Sequence, residues 1–438
     1  MKKLEYVLSA MSMAGVTKNY YVECDHRDKL KENFLAITDD SKSYTKKNTE
    51  NFDHSFAMLY NAFTESNYLK SFDFYDNFNS DNLYADSGGL QMVTAGKTIT
   101  DELKKKIYYH QMKSDLAMCF DVIALESVSK ARNSSERVQT KNKVFNSHLH
   151  KESAIATGQN IKEQTEFFQK NDCKTKVVII VQGNTHKDMV DFFDGVTSQL
   201  EDHNYDNIYG FAVADTCMGN KELESVDMMR AAREISLKAH PNVNKQLHLL
   251  GVGSTSRMAP TIQLMKSKYL DNIEKVSYDS SSHTMAYNNG KWLSRDLPIR
   301  KDGRLLKELY KVYNFYGNIF RPLCSFEDMT DHVIFNEEGR WAMSILNEKS
   351  MTLDSIDERI VASIFPYAYI MFLVTNFVKE LDEFRVDDNT KINKCFRYLP
   401  KVNDEKDMEQ WLMQYKNYLK SARIARSEES FMLENFFE

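Results

Sequence analysis

The six cysteines of the chain, Cys24, Cys119, Cys173, Cys217, Cys324 and Cys395, are scattered, and no CxxC or CxC spacing joins any two of them. That excludes a locally encoded zinc knuckle, which needs thiolates a few residues apart. No secretory pattern follows Met1-Lys2-Lys3, because Glu5 interrupts it. Scattered cysteines without such a signal point to a reducing compartment, so the cytoplasm is the expected location. An excess of positive charge is also missing. Lys and Arg number 57 against 63 Asp and Glu, for a net charge of −6. Nothing in that balance pulls the whole molecule toward nucleic acid, so any such contact needs a confined basic face. Glycine (15) and proline (6) are few, and there is neither an internal repeat nor a low-complexity tract. The nearest approach to a membrane span is Ile360 to Val378, which carries no charge. It holds Ser363, Pro366, Tyr367, Tyr369 and Asn376 and is flanked by charges, so it reads as a helix buried on a core.

What is present is a series of short apolar runs. Leu116–Asp121 (LAMCFD), Lys176–Gly183 (KVVIIVQG), Ile208–Asp215 (IYGFAVAD), Gln246–Gly253 (QLHLLGVG) and Lys275–Ser280 (KVSYDS) are the clearest. Tyr20–Asp25 and Phe56–Phe63 are weaker. Near-continuous β-branched and aromatic runs bounded by Gly, Asp or Ser are what parallel strands buried on both faces look like. The spacers hold one helix each, with helical apolar spacing over Thr185–His203 and Ser225–Ala239. Alternating β and α units make a parallel sheet, open or closed. The polar and glycine residues gather at the C-terminal ends of the runs: Asp86-Ser87-Gly88-Gly89, Asp121, Gln182-Gly183, Asp215, Gly251, Gly253 and Asp279. An α/β TIM barrel brings all those ends to one face. An open doubly wound sheet would also bind at strand ends, but usually carries an early phosphate loop, and no GxGxxG is present. The expected organisation is a barrel over 1–385 with a helical insertion at about 291–355, then a C-terminal helical extension over 386–438.

Each polar element alone has an ordinary explanation. Asp-Ser-Gly-Gly is turn chemistry, and an Asp at a strand end often caps the next helix. Their order is more telling: YADSGGLQ, MCFD, IIVQG, YGFAVAD, LLGVG, then YDSSSH. This series, spanning Asp86 to Gly290, resembles the tRNA-guanine transglycosylases, whose motifs are a DSGG-F-Q loop, strand ends in FD, VQGG and GG-[LF]-A-V-G-E, an MGVG strand and a nucleophilic aspartate. The text after Asp279 is closer to the archaeal form, since the bacterial PTR-x-x-R-x-G tail is lacking. The segment near Ile360–Phe384 resembles the last outer helix of that family's barrel. Two departures stand out. The family's zinc knuckle has only Cys324 left in the corresponding stretch, so no zinc and no other cofactor is expected. Asp215 stands where the family usually has Glu.

The resemblance implies a guanine transglycosylase, a pentosyltransferase with two displacements at C1′ of a sugar. Asp279 would be the nucleophile and Asp86 the general acid and base. Ser87, Gly88, Gly89, Asp121, Gln182, Gly210, Phe211 and Asp215 would bind the base. His283 is set aside as a lone histidine, and Tyr278 and Tyr287 read as packing. On its own chemistry, Asp279 has a helix N-cap as its plain alternative.

The branch that inserts a 7-deazaguanine (preQ0-like) base into DNA, in phages and bacteria, is the expected one. The lost knuckle, the missing basic tail and a Lys-, Asn-, Asp- and Tyr-rich texture common in AT-rich phage genomes favour it over tRNA. A candidate nucleic-acid face is Lys416, Lys420, Arg423 and Arg426, although a charge run usually reads as a solvated helix face. The family's habit makes a homodimer the expectation, with a partner ATPase also open and no membrane. Two alternatives compete: a non-catalytic partner subunit, disfavoured by the presence of both aspartates, and a barrel hydrolase that removes bases without replacing them.

Overall fold

The computed structural model describes residues 1–9, 27–63, 81–89, 99–123, 147–215, 221–252, 255–280, 370–371, 374–375, 377–383, 396 and 398–417. Eight parallel strands close into a barrel in chain order: β1 (Lys2–Ser9), β2 (Phe52–Asn61), β3 (Asn82–Asp86), β4 (Leu116–Met118), β5 (Lys176–Gly183), β6 (Ile208–Asp215), β7 (Leu247–Leu249) and β8 (Lys275–Ser280). Closure is made by β1 against β8, with Tyr6 beside Tyr278 and Val7 beside Asp279. Helices α1 (Arg27–Asn48), α2 (Asp101–Gln111), α3 (Ser147–Lys170), α4 (His186–Thr197), α5 (Lys221–Lys238) and α6 (Thr255–Met265) lie between strands. The protein is a TIM barrel with a helical region at its C-terminal end.

The reasons are local. In β5 every residue after Lys176 is buried, as suits a β-branched strand with the lumen on one face and helices on the other. In α4 the Thr185 hydroxyl accepts the Asp188 N–H at 3.2 Å while the Asp188 carboxylate accepts the Thr185 N–H at 3.1 Å. This capping box starts the helix and turns Met189, Val190, Phe192, Phe193 and Val196 inward. A stripe of five such side chains contributes on the order of 10 kcal/mol by area burial, before chain entropy is set against it.

The described part of 370–382 is helical, and Ile370, Met371, Val374, Phe377, Val378 and Leu381 are buried. Phe377 packs on Tyr6 of β1 and Tyr278 of β8. Asp382 ends the segment under β2, accepting N–H groups of Glu50 (2.8 Å), Asn51 (3.1 Å) and Phe52 (3.0 Å). This is an outer helix of the barrel, and among the described residues no helix is long and apolar enough to cross a membrane. The helix 405–417 is held by Arg230 of α5, which donates to Glu405, and by Tyr269, whose hydroxyl reaches Glu405 at 2.6 Å.

Three runs differ from expectation. β1 has no counterpart among the expected strands. β4 and β7 are three residues long, shorter than the runs that contain them, because Cys119–Asp121 and Leu250–Gly251 leave the sheet to shape the mouth. Tyr20–Asp25, the insertion at 291–355 and much of the 386–438 extension lie outside the described residues.

Candidate active site

Asp86 is the last residue of β3, in register with Asn61 of β2. The Asn61 side-chain amide donates to Asp86 Oδ2 at 3.0 Å. The chain then turns sharply through Gly88, whose φ of +77° suits glycine; a Cβ there would stand 2.5 Å from the Phe63 Cβ. The turn aims the Ser87 and Gly88 N–H groups at the Asp86 carboxylate. Burial nevertheless pushes Asp86 up to about 6, with the charge of Asp279 adding to the rise and those donors opposing it. Ser87 is fully buried, and its hydroxyl accepts the Gly89 N–H at 3.3 Å. It shapes the loop.

Gly89 brings the backbone against Asp121, where a Cβ would lie 2.9 Å from Oδ1. Asp121 itself leaves β4 on a segment pinned by α3: Asn160 donates to the Phe120 carbonyl at 3.1 Å and Thr157 accepts the Val122 N–H at 2.9 Å. The Gln182 amide, at the end of β5, donates to Asp121 Oδ2, and Gln182 Oε1 is buried with no hydrogen-bond partner among the described residues. Burial, then the nearby charge of Asp86, pushes Asp121 up to about 7. Both Asp86 and Asp121 are therefore raised toward neutrality, chiefly by desolvation.

Asp279 sits one residue from the end of β8. Its Oδ1 accepts the Gly251 N–H at 2.8 Å and lies 3.3 Å from His248 Nε2. His248 is fully buried in β7. Behind it runs a polar chain across the lumen. His248 Nδ1 is 2.8 Å from Ser277 Oγ. Gln246 donates to Ser277 Oγ at 2.7 Å and to the Tyr84 hydroxyl at 2.7 Å, and Tyr84 hydrogen-bonds Glu5. Lys275 closes the series on Glu5 at 3.0 Å.

The structure therefore gathers Asp86, Asp121, Gln182 and Asp279 at the C-terminal mouth, with the buried Ser87-Gly88-Gly89 turn following Asp86. Gly210 and Phe211 are a correction. Gln182 is level with Ala214, whereas Gly210 and Phe211 pair with Val178 and Ile179, near the other end of β6. At about 3.3 Å per residue that is over 10 Å from the mouth. Gly210 is small because β6 crowds Gln246, whose carbonyl would stand 2.5 Å from a Cβ, and Phe211 is buried against Phe193 of α4. Level with Gln182 and Gly183 are instead Ala214 and the backbone of Asp215. Tyr278 is fully buried between Tyr6 and Phe377, on the helix side of the sheet.

Asn61 and His248 were not among the expected site residues. Asn61 precedes the motif loops, and His248 is enclosed by leucines in QLHLLGVG, where the glycines carry the motif. Of the basic candidates, Lys416 is exposed on the helix 405–417, with its charge felt by Asp227 of α5, on the barrel's outer layer. Lys420, Arg423 and Arg426 lie outside the described residues, as do His283, Tyr287 and Cys324. Among the described residues no cluster of His, Cys, Asp and Glu could hold a metal ion.

Chemically, the mouth offers one carboxylate fixed through a single oxygen and two half-buried carboxyls, Asp86 and Asp121, raised toward neutral pH. A buried amide group adds a free acceptor. The chain matches no protein-family model and no curated protein.

Proposed function

We propose that this protein is a base-exchange glycosyltransferase that replaces guanine in DNA by a 7-deazaguanine base. The observation that carries the reading is the convergence of Asp279, Asp86 and Asp121 at one barrel mouth, in environments that divide their roles. Asp279 Oδ2 attacks C1′ of the target nucleotide. The C1′–N bond breaks, its electron pair leaves with the base, and Asp86 gives that base a proton. The product is an aspartyl-sugar ester. The incoming base then attacks C1′ from the face the first base left, losing its proton to Asp86, and the Asp279 carboxylate departs. Two inversions give net retention.

Base recognition falls to Asp121, Gln182 and the backbone at Ala214 and Asp215. Gln182 Oε1 accepts an N–H from the purine edge, and a protonated Asp121 donates to a ring nitrogen or carbonyl. Gly89 keeps the wall flat. In duplex DNA the guanine must be flipped into this mouth, at a cost of a few kcal/mol. The DNA branch rests on the sequence departures, namely the missing knuckle and basic tail.

The test is base exchange on duplex DNA and tRNA side by side. Labelled guanine or 7-cyano-7-deazaguanine is supplied and the nucleosides are read by mass spectrometry. Incorporation into DNA, absent from Asp279→Ala, is expected. Incorporation only into tRNA moves the substrate and leaves the mechanism. An abasic product without an incoming base would make the protein a hydrolase, and no reaction on either would favour a non-catalytic subunit.

A further inference from the structure

We propose that His248 is the positioning residue for the Asp279 carboxylate, holding Oδ1 through Nε2–H so that Oδ2 alone faces the sugar. This rests on the reading of Asp279 as the nucleophile, and extends it to a residue outside the strand-end motifs.

The ring is fixed from three sides. It is wholly buried in the lumen, and its centroid lies 5.8 Å from that of the Tyr84 ring, the two planes tilted by 33°. Nδ1 sits 2.8 Å from Ser277 Oγ, and Nε2 faces Asp279 Oδ1 at 3.3 Å without completing a hydrogen bond. The tautomer follows from what each nitrogen meets. A lone pair on Nε2 would point at a carboxylate oxygen and repel it, and the buried nitrogen would stay unsatisfied. A proton on Nε2 meets an acceptor instead. Nδ1 then accepts from the Ser277 hydroxyl, which takes one N–H from Gln246 and gives its proton to Nδ1 in preference to the Tyr84 oxygen it also meets. Tyr84, Glu5 and Lys275, further along the same chain, hold Gln246 and Ser277 in place.

Oδ1 therefore accepts the Gly251 N–H and lies 3.3 Å from His248 Nε2, whose proton is the second donor the proposal assigns to it, while among the described residues Oδ2 has no donor. The consequence is directional. When Oδ2 bonds to C1′, Oδ1 becomes the ester carbonyl oxygen and its charge falls. When the incoming base displaces the ester, the electron pair returns to the carboxylate and charge on Oδ1 rises. Donors on Oδ1 assist that departure, as preorganised donors assist any developing oxyanion. Loss of His248 should slow breakdown of the aspartyl-sugar more than its formation, so that the covalent intermediate builds up.

The experiment compares wild type, His248→Phe and His248→Gln, all checked for native circular dichroism, in single-turnover exchange on the duplex DNA substrate. His248→Phe should cut kcat by roughly 10². Its KM values should stay within about twofold of wild type, and a denaturant-stable protein–DNA adduct should accumulate. His248→Gln, which keeps an N–H donor, should recover part of the rate and lower the adduct. Wild-type rates in His248→Phe, or a loss confined to KM with no adduct, would overturn the proposal. Nitrogen-15 NMR of ring-labelled protein reads the tautomer without any turnover. A proton on Nε2, with Nδ1 as acceptor, is expected, and a proton on Nδ1 alone would refute the arrangement even if no nucleic acid reacted. Absence of exchange by wild type together with the Nε2–H tautomer would refute the transglycosylase reading while leaving the His248–Asp279 pairing intact.

Discussion

The Asn61 amide donates to Asp86 Oδ2 at 3.0 Å while its own oxygen takes the Phe63 N–H at 3.1 Å, so a residue of β2 contributes to the acidity of a residue of β3. Asn61 cannot flip without losing both bonds. It favours the charged form of Asp86, against the burial that pushes the carboxyl up to about 6. Asn61→Ala should therefore raise the Asp86 value further. If Asp86 is the acid of the first step, that step is fastest while Asp86 is protonated, and its rate falls as pH rises through about 6 in wild type. In Asn61→Ala the falling limb should move to higher pH. A limb at unchanged pH would separate Asp86 from the proton transfer.

The same burial makes a stability statement. The folded value of Asp86, about 6, lies above its ordinary 3.8. The folded state therefore binds the proton more tightly than the unfolded state does. Stability from this group is full below about 3.8 and is lost as pH rises through about 6. Asp86→Asn removes the buried charge. It should stabilise the protein at pH 8 by up to about 3 kcal/mol, shrinking toward zero at pH 4, as denaturant melts at the two pH values would read. Equal effects at both would mean that Asp86 is solvated in the fold.

Much of this barrel is legible in the chain. KVVIIVQG, IYGFAVAD and KVSYDS are strands with the expected limits, each staying paired with a neighbour along nearly its whole length. β1 is not legible, because Lys2, Lys3 and Glu5 look like a charged terminus. Glu5 is in fact fully buried, bonded by Tyr84, Lys275 and Asn82. The clue lies in alternation. Asn82, Tyr84 and Asp86 recur every second residue on β3, as do Lys275, Ser277 and Asp279 on β8, with Gln246 and His248 likewise spaced at β7. Period-two polar residues inside apolar strands mark a polar lumen, with the catalytic candidates as its uppermost layer. The misplacement of Gly210 and Phe211 has the same root. A motif match orders residues along a strand, whereas register against Gln182 decides which of them reach the mouth.

Gly89 offers a steric test of base recognition. An alanine Cβ would stand 2.9 Å from Asp121 Oδ1, so the carboxylate must shift. Gly89→Ala should weaken binding of the incoming base by roughly tenfold or more, the scale of a single hydrogen bond to the base. The fold should keep its stability, since the yielding group is a side-chain tip. Gly88→Ala should behave in the opposite way. Its φ of +77° and a Cβ 2.5 Å from the Phe63 Cβ call for backbone movement, costing at least about 1–2 kcal/mol in thermal or denaturant melts. Unchanged base affinity in Gly89→Ala would remove Asp121 from the base-binding wall.

Asp382 tests the clasp between the late helix and the barrel. Burial pushes its carboxyl up, but N–H donors from Glu50 and Asn51 and the His54 ring more than offset this and hold it below the ordinary range. Its contribution should then be present above the ordinary carboxylate value near 3.8 and be lost as pH falls through the lowered folded value. Asp382→Ala leaves the Glu50, Asn51 and Phe52 N–H groups without their acceptor, a loss of roughly 2–4 kcal/mol at pH 7. Asp382→Asn keeps one acceptor oxygen and should lose less. A variant series with no difference between Ala and Asn would place the stability in the packing of Phe377 and Leu381.

The acidic net charge makes the basic C-terminal residues the last point of decision. Replacing Lys416, Lys420, Arg423 and Arg426 together with Ala should weaken duplex binding and flatten its dependence on salt, by up to about 0.9 in the log–log slope for each phosphate no longer neutralised. Base exchange on a short, saturating DNA should keep its kcat, because Lys416 stands beside Asp227 of α5, on the barrel's outer layer. An unchanged slope would mean that DNA approaches by another face. A kcat loss with unchanged affinity would instead tie the C-terminal helix to the chemistry at Asp279.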